Sequence, residues 1–248
     1  MNKIEVSILH EAHGCPAGFM MFLAKLTQRG HKISDTDDLQ KLYDDSMFVH
    51  SNATRVASLP HGTIKRFTPI TISVVGASRR FLAQARTHSV GLNFMSASLQ
   101  YSDYSEAPCF VAPYDVIKKG PGAVLEYRDK VYEGFLNYQY FAEKYGHDTG
   151  GYVMPHAMRN VLIIQGNHDA WANFINKRAC RRNTDETRYV TNLIFKALLQ
   201  SNDGEEMFSF AGPDCCYGQC REGRMSCNNP VHAFPDREIK KSWPLLEV

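Results

Sequence analysis

The sequence predicts an α+β fold, with strands in the N-terminal half packed against long helices. Two patterns carry this reading. Early in the chain, Ile4, Val6 and Ile8 alternate with polar residues, and Ile70, Thr71, Ile72, Val74 and Val75 form a β-branched run. After residue 120, apolar residues recur at spacings of three, four and seven, the period of a helix with one buried face. The chain has no internal repeat and no low-complexity linker, so one large domain accounts for most of it.

In chain order, Ile4–Leu9 reads as the first strand and Phe19–Leu26 as a helix. Asp35–Asp45 is a charged helix or loop. Leu59-Pro60-His61-Gly62 is a turn into the strand Ile64–Val75, which Gly76 is expected to end. Ser78 then caps a helix running through Gln84. Gly120-Pro121-Gly122 precedes a long helix whose apolar face is Val124, Val131, Phe135, Tyr138, Phe141 and Tyr145, with Gly150-Gly151 as its stop. Pro155 opens a further segment, and Asp169–Ala179 and Thr184–Leu199 read as helices. Asn183 followed by Glu186 is a capping-box-like start for the second of these, which buries Leu193, Ile194, Ala197 and Leu198. Beyond Ser201 the chain is rich in Gly, Cys and Pro. The expected division is a domain over 1–200 and an irregular, cysteine-containing tail over 201–248.

Composition narrows the function classes. With 28 basic and 26 acidic residues the net charge is +2, which disfavours a duplex nucleic acid partner but leaves local cations free to meet a small anion. No run of eighteen apolar residues could span a membrane, and the N-terminus lacks the apolar core of a signal peptide, so a cytoplasmic protein is expected. In a reducing compartment the seven cysteines read as thiols or metal ligands more readily than as disulfides. Cys15, Cys109 and Cys180 are isolated and read as small buried hydrophobes. Cys215, Cys216, Cys220 and Cys227, with His232 nearby, offer enough soft ligands for a zinc ion; free thiols, a disulfide or an iron–sulfur role compete with that reading. His10 and His13 beside Cys15 do not make the H-E-x-x-H pattern of a zinc helix. Neither G-x-G-x-x-G nor a P-loop occurs, so a dinucleotide-binding Rossmann site is unsupported.

The segment Gln84–Ser102 contains no acid and concentrates glutamine, histidine and hydroxyls. It reads either as a turn and helix start built to hold an anion or as an amphipathic helix with its polar face in water. Its Gln84, His88, Ser98 and Tyr101-Ser102 resemble the signature of the flavin-dependent thymidylate synthases. Where that signature carries arginines, this chain has Thr87, Ser89 and Gln100, with Arg86 displaced by one position. Further matches follow in order: His61-Gly62-Thr63-Ile64, Gly76-Ala77-Ser78-Arg79, Met154-Pro155, Gly166-Asn167, Asn173-Phe174 and Lys177-Arg178. Of the family's next motif only the acid, Glu186, remains, and Phe208–Cys215, Cys220–Gly223 and Ser226-Cys227 resemble a cysteine-bearing tail of some members.

The resemblance implies the family's fold and a homotetramer with FAD and a pyrimidine nucleotide at subunit interfaces. It implies reductive methylation of dUMP to dTMP, with methylenetetrahydrofolate giving the carbon and NADPH reducing the flavin. His88, Arg86, Asn167 and Asn173 would touch FAD; Gln84, Ser98, Gln100 and Tyr101 would touch the nucleotide. Arg178 would be the catalytic group, holding the uracil so that its ring becomes electrophilic. The substituted arginines keep two other readings open. One is a related enzyme that modifies dCMP or leaves a hydroxymethyl group; the other is a catalytically silent nucleotide-binding paralogue.

Overall fold

The computed structural model describes residues 3–12, 14–47, 52–105, 109–218 and 220–231, together with the backbone of 245–247. The chain opens with β1 (Glu5–Glu11) and α1 (Pro16–Arg29), in which Pro16 takes a first-turn position where a missing N–H costs nothing. The charged stretch that follows is a helix, α2 (Thr36–Met47), because the Asp35 carboxylate accepts the Asp38 N–H at 2.9 Å and Asp38 returns a bond to the Ser34 N–H at 3.0 Å. The short α3 (Ala53–Ser58) leads through the Gly62 turn to β2 (Pro69–Ser78). A Cβ at Gly62 would lie 2.6 Å from the Asp169 carboxylate, so any larger residue would displace that side chain.

Gly76 does not end β2. With φ at 88° it forms a bulge, where pairing shifts register between Val75 and Ala77, and the strand continues to Ser78. Ser78 then caps α4 (Arg79–Arg86), its Oγ accepting the Phe81 N–H at 3.1 Å. The next element is β3 (Leu92–Ser96), a strand within the segment read from sequence as turn and helix. After it come β4 (Cys109–Val111), α5 (Tyr114–Lys118) and α6 (Pro121–Tyr145). Gly146, at φ 96°, stops α6, whereas Gly150-Gly151 closes the following turn of helix, α7 (His147–Gly151). Val131, Phe135 and Tyr138 on the expected face are buried, but Tyr145 is exposed.

The segment opened by Pro155 becomes β5 (Arg159–Asn167), then α8 (His168–Arg178) and α9 (Asp185–Leu199). Thr184, rather than Asn183, caps α9, accepting the Thr187 N–H at 3.3 Å. Last come α10 (Gly204–Phe208) and β6 (Leu245–Glu247), which pairs with β4.

The main sheet is antiparallel throughout in the order β1-β2-β5-β3, so β5, which the sequence left unassigned, is a central strand. One face carries Ile70, Ile72, Val74, Leu162, Ile164 and Leu92 into the main core against Trp171, Phe174 and Ile175 of α8 and Val190, Ile194 and Leu198 of α9. Met207, Phe208 and Ala211, from the stretch expected to be irregular tail, are buried in that same core. On the opposite face the register sets Val75 beside Val161 and Ile163 between Ser73 and Met95, and Val75, Val161 and Met95 are exposed. A second cluster joins Phe110, Val131, Phe135, Tyr138 and Met158 beneath α6. Among the described residues no helix is long and apolar enough to cross a membrane.

Candidate active site

α4 and α8 deliver the side chains that matter most. Sheet pairing sets Ser78, at the end of β2, beside Arg159, at the start of β5. Two carbonyls from the chain before β5 steady the first turn of α4: Met158 accepts the Arg79 N–H at 2.9 Å and His156 the Arg80 N–H at 3.1 Å. Ser78 also donates its N–H and its hydroxyl to the Glu186 carboxylate at 2.7 and 2.6 Å, tying α4 to α9. Burial pushes the Glu186 carboxyl above the usual range, against the pull of these two bonds and of Arg80.

At the other end of α4 the predicted residues gather. Gln84 uses its side-chain oxygen to accept the Thr187 and Thr184 hydroxyls at 2.6 and 3.4 Å. His88 lies edge-on to Phe174 with ring centroids 5.5 Å apart. Arg178, the last residue of α8, donates from Nη2 to the Thr87 hydroxyl at 2.6 Å. Burial, then the Arg178 and Lys177 charges, hold the His88 imidazole below its ordinary pKa, so the ring is neutral at pH 7. His88 Nε2 and Arg178 Nε are both buried without a hydrogen-bond partner. The α4 and α8 ends thus hold a neutral imidazole nitrogen and a guanidinium N–H that are each unsatisfied, and a buried polar group without a partner calls for one.

The remaining candidates occupy other places. Arg86 donates to the Ser96 hydroxyl at 2.8 Å, bracing α4 against β3. Asn167 caps α8, its Oδ1 accepting the Ala170 N–H at 2.9 Å, and Asn173 is exposed on the same helix. Ser98, Gln100 and Tyr101 sit in the loop after β3, where the Ser98 hydroxyl accepts the Gln100 N–H at 3.1 Å and Tyr101 is 83% exposed. That loop is braced by α6 and α7: the Tyr138 hydroxyl accepts the Tyr104 N–H at 3.1 Å, and Leu99 packs against Gly151. The chain therefore assembles Gln84, Thr87, His88 and Arg178 at one corner and holds Ser98–Tyr101 on a different support.

Sequence reasoning treated Thr87 as a loss, yet it is the residue that positions Arg178. It also gave Ser78 no role beyond capping. Ser78 and Glu186 border a cleft of about 440 Å³ with Arg80, Tyr114, Tyr127 and His156, at the end of α4 away from His88.

The zinc expectation finds no support. Among the described residues no group of three or more His, Cys, Asp or Glu side chains is gathered for an ion. Cys215 and Cys216 sit in a 3₁₀ turn at Asp214–Cys216, whereas Cys220 and Cys227 lie on either side of a second turn at Gly223–Met225. His232 and His13 lie outside the described residues.

Comparison with known proteins agrees with this architecture. The family described as thymidylate synthase complementing protein (Thy1) matches residues 16–201. A flavin-dependent thymidylate synthase of Clostridium tetani is 33% identical over 102 residues, which span 41% of this chain and 38% of that relative. One from Thermococcus kodakarensis is 24% identical over 77% of this chain and 79% of its own length. Among solved structures, the Helicobacter pylori flavin-dependent thymidylate synthase ThyX complexed with FAD and dUMP superposes with a TM-score of 0.61 at 16% identity, over 84% of this chain and 99% of that one. The UMP/dUMP methylase PolB of Streptomyces cacaoi, bound with 5-Br dUMP, gives 0.62 at 16% identity, over 86% and 99%. With three quarters of its length inside the family match and the ThyX fold around its sheet, the chain belongs to the thymidylate synthase complementing protein family, that of the flavin-dependent thymidylate synthases.

Proposed function

We propose that this protein is a flavin-dependent methylase of a uracil nucleotide, converting dUMP to dTMP with methylenetetrahydrofolate as carbon donor and NADPH as reductant. The observation that carries the reading is the Arg178–Thr87–His88 corner, with its two buried, unsatisfied nitrogens. An oxidised flavin and a uracil both present planar edges of alternating carbonyl and ring-nitrogen groups, which such a corner can pair. His88, Arg86, Asn167 and Asn173 would hold FAD, and Gln84, Ser98, Gln100 and Tyr101 the nucleotide. Bound FAD, once reduced, supplies the hydride.

The chain's own groups then have two tasks. Arg178, fixed by Thr87, presents a permanent charge to a ring carbonyl, so negative charge developing on that oxygen is stabilised without reorganisation. His88, kept neutral by burial, accepts or donates a single hydrogen bond and adds no second cation beside Arg178. Because Ser98–Tyr101 rests on α6 and α7 while Arg178 rests on α8, we infer that the site is completed across subunits of a homotetramer in the cytoplasm. The exposed apolar sheet face and the stripe Leu125, Tyr132, Leu136 and Tyr140 on α6 support that inference.

The test is titration of purified protein with FAD, followed by absorbance and by quenching of flavin fluorescence. Saturable binding that weakens in His88→Ala supports the reading. Protein that neither carries nor binds flavin overturns it and leaves a nucleotide-binding paralogue without catalysis. One observation favours a second substrate: Thr87 occupies part of the Arg178 fork where the family signature has arginine, which alters the ring edge the site can pair. Turnover of dCMP in preference to dUMP would select that alternative.

A further inference from the structure

Cys180, two residues past Arg178 at the end of α8, lies beside the loop of residues 214–231. Between them is a cavity of about 320 Å³ lined by Cys180, Cys215, Cys220 and Cys227, with Cys216 absent from its wall. Arg182 anchors the loop through a hydrogen bond from Nη1 to the Met225 carbonyl. The Tyr217 hydroxyl adds a bond to the Ala211 carbonyl at 3.1 Å, and Arg221 pairs with Asp214 at 3.7 Å. All four thiols are reduced, and among the described residues they do not converge as metal ligands do.

Cys220 and Cys227 are both exposed, but Cys227 is the one of the two that acts on the Cys180 thiol. Cys227 is exposed, where a small oxidant can reach it, and its thiol donates to the Asn229 carbonyl at 3.4 Å. Cys215 accepts the Val231 N–H at 3.3 Å and is half-buried. Burial is the main influence raising the Cys180 thiol pKa, with Cys227 foremost among the neighbouring thiols that add to it, ahead of Cys215. A thiol of that kind is a poor first target for an oxidant but a suitable second one, because it needs only to attack an activated sulfur already beside it.

We propose that Cys227 and Cys180 are a reversible redox pair that ties the 214–231 loop to the end of α8. The oxidant is a peroxide. The Cys227 thiolate attacks one peroxide oxygen, breaking the O–O bond and giving a sulfenic acid and one hydroxide, which takes a proton to become water. The Cys180 thiolate then attacks the Cys227 sulfur and expels the sulfenic oxygen, which is protonated to a second water. Two thiols lose two electrons, the peroxide gains them, and a thiol reductant reverses the change. The bond fixes the chain directly after Arg178, so the redox state of the loop and the geometry of the α8 terminus are coupled.

The experiment treats the purified full-length chain with equimolar hydrogen peroxide, blocks remaining thiols and measures intact mass and digested peptides. The expected product is lighter by two hydrogens, joins the Cys180 and Cys227 peptides and returns to the starting mass with dithiothreitol. Cys180→Ser should abolish the cross-link and leave Cys227 as a sulfenic acid that dimedone traps; Cys216→Ser should cross-link normally. Mapping in the unsubstituted chain stands even if a variant folds poorly. The proposal is overturned by a cross-link confined to residues 215–227, by oxygen addition with no cross-link, or by a native mass carrying a metal ion that protects the four thiols from alkylation.

Discussion

Arg178 is held by a single described hydrogen bond, to Thr87, and its Nε stays unsatisfied in a partly buried corner. In the proposed role, Arg178→Ala would remove a permanent cation from the reacting ring but no core packing. The expected result is a loss of about 2–4 kcal/mol of transition-state stabilisation, roughly thirty- to a thousandfold in turnover, with thermal unfolding little changed. A variant that melts early yet keeps its activity per folded molecule would make Arg178 structural. Gln100 sits exposed in the loop after β3, with an amide where the family signature has a guanidinium. Gln100→Arg should tighten dUMP binding by roughly ten- to a hundredfold, the worth of one charged hydrogen bond at about 1.5–3 kcal/mol. Comparing dUMP and dCMP affinities in both forms checks this; no change in either places Gln100 away from the nucleotide.

At the scale of elements, two junctions bear most weight. Ser78 ends β2, caps α4 and feeds two hydrogen bonds to Glu186 of α9. Ser78→Ala should cost about 2–3 kcal/mol in a urea titration, since it removes the cap and leaves one Glu186 oxygen unpaired in a buried place. Glu186→Gln should cost less. The second junction joins the loop before β2 to α8 through His168, which is stacked on Phe208 at 5.0 Å. Its Nδ1 lies 2.6 Å from the Thr68 hydroxyl and 2.9 Å from the Thr68 carbonyl. Burial lowers the His168 pKa from 6.5 to about 4. The sign follows directly: below pH 6.5 the unfolded chain takes up a proton that the folded chain refuses until about pH 4, so stability falls across that window as pH drops. The loss should approach about 3 kcal/mol by pH 4. Unfolding titrations across the window should have a flatter pH slope in His168→Gln; an identical slope would show that His168 is not the titrating group.

For the whole molecule the decisive quantity is assembly. Val75, Val161 and Met95 on the open sheet face, and the α6 stripe, are exposed apolar side chains of the kind that subunit contacts cover. Light scattering at micromolar concentration should return four times the 28.1 kDa chain mass, and Val161→Lys with Met95→Lys should lower it. A single-chain mass for the native protein would remove the basis for a shared site. Complementation between a variant disabled at Arg178 and one disabled at Tyr101 would independently place the two halves on different chains.

Patterns local in the sequence were legible. The first strand, α1, α4 with its Ser78 cap, α6, α8 and α9 all follow from short-range periodicity and capping chemistry, which act within a few residues. The ordered motifs marked Gln84, His88 and Arg178, and the fold brings all three to one corner. What the sequence could not decide depended on partners far along the chain. β5 is a central strand because β2 and β3 flank it, about ninety and seventy residues away in sequence; a continuous apolar run alone does not distinguish a buried strand from a buried helix. Gly76 became a bulge through pairing with β5, and Gly146 stopped α6 by its own left-handed backbone. Thr87 gained a role only when α8 carried Arg178 to it across ninety-one residues, and Cys180 left isolation only when the last loop folded over the end of α8. Local backbone preference is written residue by residue, but a hydrogen-bond partner or a shared cavity exists only once tertiary packing has closed the distance.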